Sequence, residues 1–257
     1  MALSNEQKLS IFDVIKTCLR NKFANYKPET TEMPFHFRLL GKDRMALYSF
    51  IQSLNTTFGT SIYEPVAVSL AKTRFKRAVA QYEIGDTISD ESQNVIQEIM
   101  NHLTIGHDVN KEQEIESIRR VCQGEKMNKM KSTKADLFIE HQNGEVFLFD
   151  LKTVKPNTGD FKYFKRTLLE WAAIWLMKNP NAKVNTLLAI PYNPYAPKPY
   201  ERWTLKGMLD LKHELMVAEE FWDFLGGDNA YNELLDCFER AGIELRDEVD
   251  QYFKRFK

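Results

Sequence analysis

The chain lacks most features that would assign it to a specialised class. Its three cysteines, Cys18, Cys122 and Cys237, are far apart, odd in number and form no C-x-x-C pair. This excludes a disulfide framework and a thiolate zinc site, and it points to a reducing compartment. No apolar run approaches the roughly 20 residues that span a bilayer. The N-terminal MALSNEQKLS has no basic segment ahead of an apolar stretch, so no signal peptide is expected. Net charge is nearly absent: 35 Lys+Arg stand against 36 Asp+Glu, giving −1. A globally basic surface therefore does not announce a nucleic-acid partner, although local clusters can. There is no internal repeat and no low-complexity tract.

What is present is core. The 257 residues are 43% hydrophobic and 12% aromatic, enough for one large domain. Ser4 with Gln7 forms a capping-box pattern ahead of Leu9, Phe12, Ile15, Leu19 and Phe23 at helical spacing. The segment around Pro28 and Pro34 reads as a loop. Asp43 reads as the cap of a helix that Gly59 interrupts. Glu64-Pro65 opens a long helix to about Ala80, since proline suits a first turn. Ser89 and Asn110 begin further helices, to about Leu103 and Val121. Two strands follow, then a helix over about 160–178. VNTLLAI (184–190) reads as a strand buried on both faces. From Trp203 onward the pattern is helical. The order predicts one domain over 1–257: a helical part (1–60), a mixed α/β core (61–200) and a helical part (201–257).

The strands lie in KADLFIEHQNGEVFLFDLKT, residues 134–153. They are strongly apolar, yet they carry Asp136, Asp150 and Lys152. Buried charges are ordinarily paired or metal-bound. The turn Gln142-Asn143-Gly144 admits two lengths. A two-residue Asn-Gly turn puts Asp136 and Asp150 on opposite faces. A three-residue loop with Gly144 left-handed pairs His141 with Glu145 and sets Asp136 opposite Asp150. Opposed carboxylates repel unless a cation lies between them. Magnesium accepts such oxygens while keeping waters, and Leu151 offers a main-chain carbonyl beside them. The metal activates water and polarises phosphorus, and an adjacent lysine orients the water and offsets transition-state charge. An Asp-x-Lys on a strand is ordinarily a surface charge pair. Here Asp136 precedes it on the neighbouring strand, and a helix and another buried strand follow.

Asp136 and Asp150-Leu151-Lys152 resemble the signature of the PD-(D/E)xK nuclease superfamily, with Lys134-Ala135 where a proline often precedes the first aspartate. The resemblance implies an αβββαβ core, Mg2+-dependent DNA cleavage, and catalytic Asp136, Asp150 and Lys152. It also implies an acidic residue from a preceding helix as a further metal ligand or water contact: Glu64 is the first candidate and Glu83 the second. Glu64 is equally suited to be merely a helix-terminal acid.

Longer stretches, FRLLGKDRMALYSFIQSLNTTFGTSIYEPVA, AIPYNPYAPKPYERWT and EEFWDFLGGDNAYNELLDCFERAG, are similar to the TdeIII family of type II restriction endonucleases. That resemblance implies double-strand cleavage at a short palindrome, with GGNCC as a candidate. It further implies a homodimer, a prokaryotic cytoplasmic setting and a companion DNA methyltransferase. A repair or recombination nuclease, or a non-catalytic DNA-binding protein on the same fold, are the alternatives.

Phosphate contacts require basic residues. Lys72, Arg74, Lys76 and Arg77 follow Glu64 on what reads as its helix, and Lys126, Lys129, Lys131 and Lys134 precede Asp136. Lys155, Lys162, Lys165 and Arg166 follow Lys152. From Lys126 to Arg166 nine Lys/Arg stand against five Asp/Glu, a local +4. Lys155, Asn157 and Asn193 are candidate base readers on loops. Tyr192, Tyr195 and Tyr200 read as loop packing, His102 and His107 as ordinary histidines, and Trp171 and Trp175 as core.

Overall fold

The computed structural model describes residues 3–28, 32–152, 161–200 and 207–254. Helix α1 (Asn5–Asn25) opens with the capping box: Ser4 Oγ accepts from the Gln7 N–H and the Gln7 side chain accepts from the Ser4 N–H. The proline region departs from a loop, because Pro34 sits in the first turn of a short helix, α2 (Pro34–Leu40). Helix α3 (Lys42–Phe58) follows Gly41, and Asp43 lies in its first turn rather than capping it. Gly59 does not stop the helix. The chain widens into a π-helical turn, Gly59–Tyr63, and continues as α4 (Glu64–Ala71).

α4 ends well short of Ala80. Residues Arg77–Ser89 form strand β1, which the apolar spacing of that region did not disclose. Lys72, Arg74, Lys76 and Arg77 therefore share no helix face. Helices α5 (Asp90–Thr104) and α6 (Lys111–Val121) start at Ser89 and Asn110, whose side chains accept from Ser92 N–H and Gln113 N–H. Then come β2 (Met127–Glu140), β3 (Val146–Leu151), α7 (Phe161–Lys178) and β4 (Val184–Ile190). The C-terminal part is helical through α8 (Glu219–Gly226), α9 (Ala230–Glu244) and α10 (Arg246–Lys254). It also gives the sheet a short edge strand, β5 (Leu215–Val217).

The sheet order is β1-β2-β3-β4-β5. The β1–β2 and β2–β3 pairs are antiparallel, whereas β3–β4 and β4–β5 are parallel. Helices α5, α6 and α7 pack one face around Phe138, Leu148 and Leu188, while α1, α4, α8 and α9 pack the other around Leu137, Phe149 and Leu187. Covering both faces explains why β3 and β4 are predominantly apolar. Each fully buried Phe or Leu there contributes roughly 1.5–3 kcal/mol.

One cluster in this core is ionic. Lys165 Nζ lies 2.5 Å from Glu114 Oε2 and 2.7 Å from Glu214 Oε2. Lys111 Nζ lies 2.7 Å from Glu214 Oε1 and 2.7 Å from Thr186 Oγ1. Lys165 and Glu214 are both 0% exposed. Lys165 is thus a structural cation tying α7 to α6 and to the segment before β5, not a phosphate contact.

Candidate functional site

The β2–β3 turn has the three-residue form. His141 N–H donates to Glu145 O at 2.8 Å, Gly144 N–H returns to His141 O at 2.9 Å, and Gly144 has φ +83°. The register below it pairs Glu140 with Val146, Ile139 with Phe147, Phe138 with Leu148 and Leu137 with Phe149. One step further along the two strands, Asp136 and Asp150 lie just past the paired register and close enough for the Asp136 charge to act on Asp150.

The pleat breaks at that step. Phe138 and Ala135 both pack with α7, although three positions apart, and so do Val79 and Tyr82 across the β1–β2 pair. Between them, Ala80 pairs with Leu137 and Tyr82 with Ala135, while Gln81 has φ +51°. A non-glycine residue in the left-handed region is strained, and such strain gathers at functional sites. The break re-aims Gln81 and Asp136 along the sheet.

Gln81 is the residue that sequence reasoning missed. Its Nε2 lies 3.0 Å from each carboxylate oxygen of Glu64 and 3.3 Å from Asp136 Oδ1. Glu64 reaches this point because α4 packs Val66, Ala67 and Leu70 into the core, leaving its first turn against β1. Burial pushes the Glu64 carboxyl up to about 7, against the Gln81 hydrogen bonds and with the Asp136 charge. Glu83 is exposed, takes a 2.6 Å hydrogen bond from Ser132 and has no bond to Asp136.

Asp136 Oδ2 accepts the Leu151 N–H at 2.8 Å, which fastens it to β3. Asp150 is buried, and Lys152 Nζ lies 2.6 Å from its Oδ1. Burial pushes the Asp150 carboxyl up to about 6; Lys152 opposes this and Asp136 adds to it. Lys152 N–H donates to Ala189 O at 3.0 Å, and its ammonium sits 4.7 Å from the centre of the Phe164 ring. β4 and α7 therefore hold the lysine in place.

Glu64, Gln81, Asp136, Asp150 and Lys152 thus form one connected group. Among the described residues no set of three or more His, Cys, Asp or Glu is grouped so as to hold a metal ion. The pair Asp136 and Asp150 is the part of the group suited to a cation, because facing carboxylates gain from one and Asp150 is buried.

The basic candidates divide. Lys72, Lys131, Lys134 and Lys162 are exposed, and so is Arg74. Lys76 is paired with Glu140. Arg77 lies over the rings of Tyr82 and Phe138, at 5.2 and 5.3 Å. Lys126 pairs with Asp90 at 3.1 Å. The Asn193 amide is spent within its own loop, donating to Lys198 O at 2.7 Å and accepting from the Tyr195 N–H at 2.9 Å. Lys155 and Asn157 lie outside the described residues. No helix is long and apolar enough to cross a membrane among those residues.

Comparison with known proteins gives one class. Residues 3–242 match the family described as "Type II restriction endonuclease, HinfI". The type II restriction enzyme MjaII of Methanocaldococcus jannaschii is 30% identical over 90% of this chain and 68% of its own length. HgiCII of Herpetosiphon aurantiacus, also a type II restriction enzyme, is 26% identical over 84% of this chain and 80% of its own. The enzyme class agrees with what the TdeIII-like stretches imply, while the family matched is HinfI. The chain is a site-specific endonuclease and belongs to the HinfI family of type II restriction endonucleases.

Proposed function

We propose that this endonuclease cuts both strands of DNA at a short palindrome, with a PD-(D/E)xK centre built from Asp136, Asp150 and Lys152 and an acidic contribution from Glu64. The observation that carries this is the closeness of Asp136 and Asp150 just past the end of the hairpin pairing, with Lys152 on the Asp150 carboxylate. The element order α4-β1-β2-β3-α7-β4, with α5 and α6 inserted after β1, supports an αβββαβ core.

Asp136, Asp150 and the Leu151 main-chain carbonyl would hold Mg2+, with water completing the shell. Bound there, the ion supplies a water of lowered pKa and charge stabilisation at phosphorus. Lys152, held beside Asp150, has two further ammonium protons to offer the attacking water and a non-bridging phosphate oxygen. Glu64, at about 7, is suited to take the water's proton near neutral pH. As water oxygen bonds to phosphorus, the bond to the leaving oxygen breaks, and that oxygen is protonated from solvent. Gln81 keeps Glu64 and Asp136 together during this step.

A palindromic substrate calls for two centres related by a two-fold axis, hence a homodimer. The exposed apolar residues Phe35 and Leu39 on α2 support such an association. Lys72, Arg74, Lys131, Lys134 and Lys162 are the proposed phosphate contacts. The TdeIII-like stretches make GGNCC the first site to test. The setting is the prokaryotic cytoplasm, with a methyltransferase protecting the host's own sites. Incubation with plasmid DNA and Mg2+ should give discrete fragments that EDTA suppresses. A smear, or intact plasmid, would count against the proposal.

A further inference from the structure

The sequence between Arg44 and Glu64 contains no charged residue, in a protein that is 28% Asp, Glu, Lys and Arg. That stretch is α3 and the π-helical turn, and much of it is exposed. Exposed helices ordinarily carry charge on the solvent side. Gln52, Asn55 and Thr56, at i, i+3 and i+4, share one exposed face. Their neighbours Ser53 and Thr57 are engaged by Lys22, at 2.5 and 2.9 Å, whereas the Gln52 and Asn55 amides bond to no described residue.

The same three residues line a cleft of about 770 Å³. Leu151 and Lys152 also line it, so the cleft is continuous with the catalytic group. Its other side is the loop after β4, at Pro191 and Tyr192, and Trp222 Nε1–H fixes that loop by donating to Pro191 O at 2.8 Å. The π-helical turn joins α3 directly to Glu64. At 1.5 Å per residue, Asn55 stands roughly 13 Å from Glu64 along the helix. That is about the width of the B-DNA major groove.

We infer that α3 is the base-reading element of this enzyme, and that Gln52 and Asn55 address base edges of duplex DNA held in this cleft. Phosphate affinity comes chiefly from Lys and Arg, whereas Asn and Gln amides, which both donate and accept, can read adenine bidentately in the major groove. An uncharged face with two amides that have no partner among the described residues, beside a centre that must meet a phosphate, suits base reading better than charge neutralisation. The unbroken helix from α3 to Glu64 also gives a rigid link between base contact and the catalytic group. The inference rests on Asp136, Asp150 and Lys152 being the cleavage centre.

The test is base preference, not rate alone. A duplex library randomised over the site is cut with Mg2+ by wild type, Gln52→Ala and Asn55→Ala, and the cut ends are sequenced. Loss of preference at particular symmetric positions is expected, roughly 5- to 150-fold for one bidentate contact. Preferences equal to wild type in both variants, even with slower cutting, would overturn it. Should alanine unfold the helix by circular dichroism, Asn55→Asp serves instead: it keeps the shape, removes the donor and should change the preferred base. Binding selection from the same library by Lys152→Ala and by Lys152→Ala/Asn55→Ala is run alongside. If Lys152→Ala still cuts, the cleavage centre is misplaced, while the binding comparison continues to judge α3.

Discussion

Lys152 Nζ lies 2.6 Å from Asp150 Oδ1, with the lysine's backbone N–H held by Ala189 and its ammonium over Phe164. The lysine is placed before any substrate arrives, so little ordering remains to be done during reaction. Lys152→Ala should lower cleavage by about 100- to 10,000-fold. DNA affinity should stay within a few-fold, read by gel shift with Ca2+ in place of Mg2+. Normal cutting by this variant would remove Lys152 from the mechanism.

Gln81 bears strain and bonds together two acids of the centre, so function and stability should separate there. Gln81→Gly accepts φ +51° without a side-chain clash. Its stability should be unchanged or raised by up to about 1 kcal/mol. Its Mg2+ requirement should rise about 10- to 100-fold, as for lost partners of ligating groups. Urea unfolding and a Mg2+ titration of cleavage rate read the two effects. Equal losses in both would make Gln81 merely structural.

The metal-free protein should lose stability as pH rises from mildly acidic to neutral. Asp150 at about 6 and Glu64 at about 7 both lie above ordinary carboxylate values. A raised folded-state pKa contributes stability that is full below the unfolded pKa and lost as pH rises through the folded one. Between roughly pH 4.5 and 7 the urea midpoint should therefore fall, and Asp150→Asn with Glu64→Gln should flatten the slope. Cleavage should rise over the same interval, because binding a cation needs Asp150 ionised. A midpoint that is flat or rising in the parent protein would contradict the assignment of these shifts.

Lys165 offers a test remote from the chemistry. Replacing it with methionine leaves Glu114 and Glu214 buried without one of their cations. The expected loss is about 3–5 kcal/mol in urea unfolding. A loss below about 1 kcal/mol would mean that the ionic cluster is not fixed as described.

The sequence discloses what local rules govern. The capping box at Ser4, the caps at Ser89 and Asn110 and the buried strand Val184–Ile190 all follow from short-range pattern, and the three-residue β2–β3 turn is one of the two forms that such pattern allows. β1 stayed hidden because Gln81 and register shifts around Gly85 break its alternation, so its apolar residues pass for a helix. Gln81 carried no motif; its importance comes from a backbone break that only the partner strand reveals. Lys165 reads as one more surface cation, because the glutamates that bury it lie 51 and 49 residues away. The π-helical turn at Gly59 was illegible for a similar reason. Glycine ordinarily ends a helix, and only packing of α4 against the core keeps this one continuous.

The central claim is that Asp136 and Asp150 face each other to serve one divalent cation in DNA cleavage. The most direct measurement is the single-turnover cleavage rate of Asp150→Asn at saturating Mg2+, with folding checked by circular dichroism. The substitution keeps size and burial while removing one of the two opposed negative charges. A fall of at least about 1,000-fold with duplex binding retained is the predicted result. A rate within about tenfold of wild type would contradict it.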